Sequence, residues 1–423
     1  MKDMLLRDKP RTVALVAMAV IALHLVNASL FHLEAPLAER VALVVLSLVV
    51  IGTAGSFYVS EGNGWRAGLA LGLGVPAIIV GFGIHAIHVY ELGVEESSYT
   101  GLPVLFAGLA LTGIGGTLLV RRVHTWWRRL LFAPAAVAVV VFLVFPITLA
   151  VFATNVPVVP TDTTENPGDR GLAYEDVSFE TDKGLTLYAW YIPGQNRAAV
   201  ITVHGAGSNR STAMDEAEML ASNGYGVLMV DLEGFGDSDG RANAFGWVGA
   251  RDIHAATTYL RGRDDIDPDR IGGVGLSMGG EVLLQAAGES THLKAIVAEG
   301  STGRTEDDFD ELPASGFLTV IHTVTGLTME TISGEPAPPP LKELVHNIAP
   351  RNVLLIGSQV PDERKIMPMY ARLGGPSFEL WLIPEDRHVG GFDLHREEYE
   401  KRVIAFLDAS LLGNSTAEAA PAP

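Results

Sequence analysis

Ile271-Gly272-Gly273-Val274-Gly275-Leu276-Ser277-Met278-Gly279-Gly280 is the stretch on which the reading of this chain turns. An apolar run ends in Gly275-x-Ser277-x-Gly279, and Glu281-Val282-Leu283-Leu284-Gln285-Ala286-Ala287 continues as a helix. The pattern is strand, sharp turn, helix, with a serine at the apex. Such a turn holds its serine in a strained backbone conformation and brings strand and helix so close that Cβ atoms at the flanking positions would clash. The strain lifts the hydroxyl clear of the sheet. The helix starting beside it aims N–H groups at any oxyanion that develops there.

Outward from this turn the segments alternate. Val177–Glu180 and Leu185–Tyr191 flank Asp182-Lys183-Gly184, a hairpin signal. Ala198–Val203 reads as a buried strand ending in His204-Gly205-Ala206-Gly207, and Ser211–Asn223 as a helix stopped by Gly224. Val227–Val230 is a strand leading into Asp231-Leu232-Glu233-Gly234-Phe235-Gly236-Asp237-Ser238-Asp239-Gly240, and Trp247–Arg261 is helical. Further strands are expected at Ala295–Ala298, Asn352–Ile356 and Phe378–Ile383, with a last helix over Glu397–Leu412. Strands alternating with helices predict an α/β fold with a mostly parallel sheet and an antiparallel N-terminal hairpin.

A serine hydroxyl is a poor nucleophile near neutral pH and needs a base, usually a histidine oriented by a carboxylate. His388 follows the last expected strand, on a loop at the carboxyl end of the sheet, where catalytic groups gather in open α/β folds. His204 also ends a strand, but beside glycines, and its expected task is to shape that loop. The pattern His204-Gly205-x-Gly207, Asp231-x-x-Gly234-x-Gly236-x-Ser238-x-Gly240, Gly275-x-Ser277-x-Gly279-Gly280 and the late His388 resembles the α/β-hydrolase superfamily. The likeness is to its serine esterases, dienelactone-hydrolase-like enzymes and serine aminopeptidase-like members.

That resemblance spans 174–412 and implies Ser277 as nucleophile, His388 as base, and the N–H groups of Ala206 and Met278 as oxyanion hole. Its usual Gly-x-x-Asp after the next-to-last strand is missing, because Gly357 is followed by Ser358, Gln359 and Val360. Asp362 and Glu363 come slightly later, and either reaches the imidazole if the loop bulges. Asp362 is the first choice, then Glu363, with Glu299 at the preceding strand end as a third. A small helical cap is expected over 300–350.

The N-terminal third is different. Mean hydropathy is +0.27, high for a chain lying wholly in water. Five uncharged runs, Thr12–Leu33, Val41–Ser60, Ala67–Tyr90, Leu102–Val120 and Leu130–Ala153, predict an all-α transmembrane bundle over 1–153. Basic clusters sit before the first run and between the fourth and fifth, at Arg121, Arg122, Arg128 and Arg129. An odd number of spans then leaves the hydrolase-like region outside the cytoplasm. Pro157, Pro160 and Pro167 mark a linker over 154–173, and 413–423 reads as a disordered tail.

The net charge of −19 is unevenly placed. Residues 1–153 carry 10 Lys and Arg against 8 Asp and Glu, and residues 154–423 carry 20 against 41. Such acidity argues against a nucleic-acid partner and against docking on anionic lipid. Zero cysteines exclude disulfides, zinc–thiolate sites and a cysteine nucleophile. No P-loop pattern is present, and Asp237 and Asp239 lack the further ligands of a calcium loop. No cofactor or metal is expected, and the partners expected are an acyl substrate and the lipid bilayer. Two function classes remain: a membrane-anchored serine hydrolase, or a receptor- or transporter-like membrane protein whose hydrolase-like domain only binds.

Overall fold

Eight strands form one sheet in the order β1-β2-β4-β3-β5-β6-β7-β8. They are β1 (Glu175–Glu180), β2 (Thr186–Ile192), β3 (Ala199–Val203), β4 (Gly226–Val230), β5 (Ile271–Leu276), β6 (Ala295–Glu299), β7 (Asn352–Gly357) and β8 (Phe378–Leu382). The computed structural model describes residues 9–31, 50–54, 56, 63–80, 98–120, 138, 140–154, 159, 161, 165–240, 244–309 and 316–413. It divides into two compact units, 1–149 and 150–423.

In the second unit β1 and β2 pair antiparallel about Gly184, whose φ of +73° suits a tight turn. β2 also runs antiparallel to β4, and the remaining neighbours are parallel. Alternate strand residues point to opposite faces. Ile201 and Leu228 join Ile253, Leu283 and Met367 in one core, while Val200 and Val227 join Leu220, Tyr399 and Phe406 in the other. Each fully buried aliphatic side chain stabilises the fold by about 1.5–3 kcal/mol. Chain order reverses at β3, whose neighbours are β4 and β5. The carboxyl ends of β3 and β5 therefore flank a switch point, the usual position of a ligand site in such sheets.

Among the described residues the first unit contains the long helices α1 (Lys9–Phe31), α2 (Asn63–Val80) and α3 (Ser98–Val120), and α4 (Phe145–Thr154) follows in sequence. α2 and α3 approach closely at glycines: a Cβ on Gly108 would meet the backbone of Ile78 at 2.5 Å. Gly74 is just as tight, whereas Gly68 and Gly72 have open space around them.

The expected transmembrane bundle is corrected here. Among the described residues no helix is long and apolar enough to cross a membrane. Two of the expected runs are visibly short or broken. In α2 the uncharged part begins only after Arg66, leaving about 21 Å of helical rise against a core of about 30 Å. In the fifth run a π-turn at Val140–Val144 precedes a helix of 10 residues. Most of the second run and the second half of the third lie outside the described residues.

The second unit adds α5 (Met214–Ser222), α6 (Gly249–Arg261), α7 (Met278–Glu289), α8 (Gly316–Ser333), α9 (Pro361–Gly374) and α10 (Gly391–Leu407). Over the range of the expected cap the described residues form the long helix α8 and short helical turns at Glu306–Phe309, Leu341–Leu344 and Val345–Asn347, and 310–315 lie outside the described residues. α10 begins at Gly391, six residues ahead of the expected Glu397, and is kinked at His395, whose backbone angles are non-helical. The expected tail over 414–423 lies outside the described residues. Asp237 and Asp239 serve as turn residues: Asp237 pairs with Arg210, and Asp239 accepts the Thr186 N–H at 2.9 Å.

Candidate active site

Ser277 has φ +54° and ψ −120° at the junction of β5 and α7. A non-glycine residue at positive φ stores strain, of order 1–3 kcal/mol, that the surrounding structure must overcome. Here the glycines make that possible. A Cβ at Gly275 would be driven into the backbone of Gly279, and one at Gly279 into the carbonyls of Val203 and His204. Strand and helix therefore touch backbone to backbone, and the serine stands at the crest. Its N–H donates to the Glu299 carbonyl at 2.7 Å, which ties the turn to β6.

His388 Nε2 lies 2.8 Å from Ser277 Oγ, and His388 Nδ1 lies 2.6 Å from Glu363 Oε1. The turn after β5, the first turn of α9 after β7 and the loop after β8 thus supply one hydrogen-bonded run. Glu363 is buried, and its second oxygen accepts the Ser358 N–H at 2.8 Å. Asp362 is exposed, and the geometry replaces it as first choice with Glu363. The reason is helical. Pro361 opens α9, so positions 362 and 363 point about 100° apart, and only the second turns back over the end of β7.

Glu299, the third candidate, accepts a different donor, the Gly391 N–H at 2.7 Å. Burial alone would lower the pKa of His388. The hydrogen bond and charge of Glu363, with the charges of Glu281 and Glu299 behind, outweigh it and raise that pKa above the ordinary value.

His204 is fully buried, and burial pushes its pKa down to about 4. Its Nε2 accepts the Leu232 N–H at 3.3 Å and its Nδ1 sits 2.8 Å from the Gly205 carbonyl. The neutral ring, with its proton on Nδ1, pins the glycine loop to the end of β4. That loop abuts the serine: a Cβ on Gly205 would lie 3.5 Å from Ser277 Cβ. Ala206 is exposed in the following turn, and Met278 is the buried first residue of α7. Elsewhere His395 pairs with Glu385 at 2.8 Å and His254 lies 3.4 Å from Glu289. A cavity of about 900 Å³ between α6 and the β1 edge, lined by Phe179, Arg251 and Tyr259, contains none of Ser277, His388 or Glu363. Among the described residues no group of histidines and carboxylates is arranged to hold a metal ion.

Sheet order, strained serine turn and the run from serine to carboxylate together define an α/β-hydrolase fold. Comparison with known proteins agrees. The family model described as X-Pro dipeptidyl-peptidase (S15 family) matches residues 174–354. The uncharacterized protein YfhR of Salmonella typhimurium is 30% identical over 256 residues, covering 56% of this chain and 82% of that protein. YfhR of Escherichia coli K12 is 26% identical over 250 residues, covering 56% and 81%. The Pyrococcus furiosus esterase Pf2001 superposes with a TM-score of 0.51 at 24% identity, over 61% of this chain and 98% of that one, a likeness of fold. The chain belongs to the family of the YfhR proteins, within the α/β-hydrolase superfamily.

Proposed function

We propose that this protein is a serine hydrolase that cleaves an ester, thioester or amide through an acyl-enzyme on Ser277. The observation that carries the reading is the run Glu363–His388–Ser277, hydrogen-bonded at 2.6 and 2.8 Å on a strained serine turn. In this reading Oγ attacks the acyl carbonyl while Nε2 of His388 takes the hydroxyl proton. The tetrahedral oxyanion lies against the N–H groups of Met278 and Ala206. Its collapse breaks the bond to the leaving group, which receives the proton from His388. Water repeats the sequence on the acyl-enzyme, releasing the acid and restoring Ser277. Glu363 orients the imidazole and stabilises its cation.

A binding domain without catalysis is the other reading. It has no need of a buried carboxylate aimed at the histidine, and Glu363 favours the enzyme. The isolated region 154–423 is expected to hydrolyse members of a panel of p-nitrophenyl esters and aminoacyl anilides, including Xaa-Pro anilides. No turnover of any, with no covalent labelling by a fluorophosphonate, would leave the binding reading in its place.

The neutral imidazole is the base, and its pKa is raised in the folded protein. Activity should therefore fall as pH drops through a value above the ordinary histidine pKa of 6.5. Glu363→Gln removes the main group that raises it, so the acid limb of kcat/KM should move to lower pH. A limb that stays put would dissociate Glu363 from the base.

We further propose that residues 1–153 hold the hydrolase domain at a cell membrane, on its outer face. The support comes from sequence: five uncharged runs, and basic clusters placed to face the cytoplasm. The described helices do not supply a crossing by themselves, so the test is biochemical. The full chain should stay with the membrane after alkaline carbonate extraction, and external protease should degrade 154–423 in spheroplasts. Release by carbonate would end the anchoring proposal, and protection until lysis would reverse the orientation.

A further inference from the structure

Glu299 is a buried carboxylate that the proposed reaction leaves without a task. It ends β6 and is 2% exposed. Its main-chain carbonyl accepts the Ser277 N–H at 2.7 Å, and its Oε1 accepts the Gly391 N–H, also at 2.7 Å. Gly391 opens α10, three residues beyond His388. One residue thus touches both the turn that carries the serine and the segment that carries the histidine. Its neighbour Gly300, at φ +65°, closes the same junction: a Cβ there would meet Val389 Cγ2 at 2.9 Å and His388 Cε1 at 3.0 Å.

The segment so held is under strain. Val389 has φ +49°, an outlying conformation for a β-branched residue. A conformation of that kind persists only when the surroundings over-determine it. Glu363 grips the segment on one side of Val389, through His388 Nδ1, and Glu299 grips it on the other, through the Gly391 N–H. Gly391 has no room to move toward Glu299. A Cβ there would meet Glu299 Oε1 at 2.9 Å and the Tyr399 ring at 3.0 Å.

A buried carboxylate is an expensive way to fill space. Desolvation pushes the Glu299 carboxyl up to about 7, against the lowering effect of the Gly391 N–H. An apolar side chain of similar volume would stabilise a core at least as well. The carboxylate is explained better by what it holds than by stability.

We propose that Glu299 is a positioning residue. Through the Gly391 N–H it holds the strained His388–Val389 segment in the conformation that aims Nε2 at Ser277. The proposal rests on the serine-hydrolase reading given above, and its test separates the two.

The full-length protein and three variants are compared by rate of fluorophosphonate labelling at Ser277, by kcat and KM on the best ester, and by urea midpoint. Glu299→Gln keeps an acceptor oxygen for Gly391 and should stay within about threefold of wild type, far below the effect of losing the geometry. Glu299→Leu removes the acceptor and should lower the labelling rate and kcat by about 10²-fold with KM little changed, as expected for a misplacement of the base by about 1 Å. Gly391→Ala keeps Glu299 but drives a Cβ against it, and should reproduce the kcat loss. It carries the test if the leucine variant does not fold.

Wild-type labelling and turnover in either folded variant would overturn the proposal. So would Glu299→Gln falling as far as Glu299→Leu, because the acceptor would then not be what matters. If the wild-type protein is not labelled at Ser277, the serine-hydrolase reading fails and this inference falls with it. If wild type is labelled and the variants match it, only the inference fails.

Discussion

Ser277→Ala is expected to abolish fluorophosphonate labelling and to lower kcat by about 10⁶-fold, the scale seen when a triad serine is removed. His388 Nε2 is engaged by the Ser277 hydroxyl at 2.8 Å, so removing Oγ removes the group the base acts on. The loss should appear in kcat, since the acyl group is held by surroundings the substitution does not touch. Stability gives a second, independent readout. Alanine at φ +54° keeps the backbone strain, so Ser277→Ala should unfold at nearly the wild-type urea concentration. Glycine relieves it, and Ser277→Gly should be equally inactive yet more stable by about 1 kcal/mol. Such a gain on deleting the reactive group is what strain kept for function predicts. Equal labelling of wild type and Ser277→Ala would remove the serine from its role.

The serine turn was legible because its requirements are steric and local. Gly275 is imposed by the backbone of Gly279 four residues on, and although Gly279 and Gly280 are also crowded by Val203, His204 and Ser301 from neighbouring strand ends, the glycine spacing itself is local. The strands were legible for a similar reason: β3, β4 and β5 are buried along their whole length, so they read as unbroken apolar runs. His388 could be found because it lies just beyond a recognisable strand end.

The carboxylate was harder to place. Two acids stand side by side, and which one faces inward depends on where a helix starts. The signal was present in Pro361. Proline is favoured at the first helical position, and starting α9 there sets the directions of 362 and 363. Glu299 was weighed only as a triad acid, because nothing local shows that its partner is an N–H 92 residues away. The N-terminal third shows the opposite failure. Hydropathy marks uncharged runs, but not where a helix breaks, as at Val140–Val144, or where its uncharged part begins, as after Arg66.

Glu363→Gln and Asp362→Asn separate the two acids by experiment. Both keep shape and remove charge. Glu363 Oε1 takes the Nδ1 side of His388 at 2.6 Å, while its Oε2 is fixed by the Ser358 N–H. A glutamine there retains an acceptor, but its amide nitrogen can equally turn toward Nδ1 and favour the wrong tautomer, and no negative charge remains for the imidazolium that forms. A triad carboxylate lost in this way lowers kcat by about 10⁴-fold, and that is the expectation for Glu363→Gln. KM should change little, because Glu363 is buried behind the histidine, away from the path of the substrate. Asp362 is exposed at the start of α9, and its neutral replacement should leave kcat within about twofold, since a helix-terminal carboxylate contributes only about 0.3–1 kcal/mol to local stability. The double variant should match Glu363→Gln alone. A large loss in Asp362→Asn with a small one in Glu363→Gln would mean that α9 starts differently in the working enzyme, with the neighbouring acid turned inward. Small losses in both would detach the carboxylate from catalysis and leave a Ser277–His388 pair as the reacting unit.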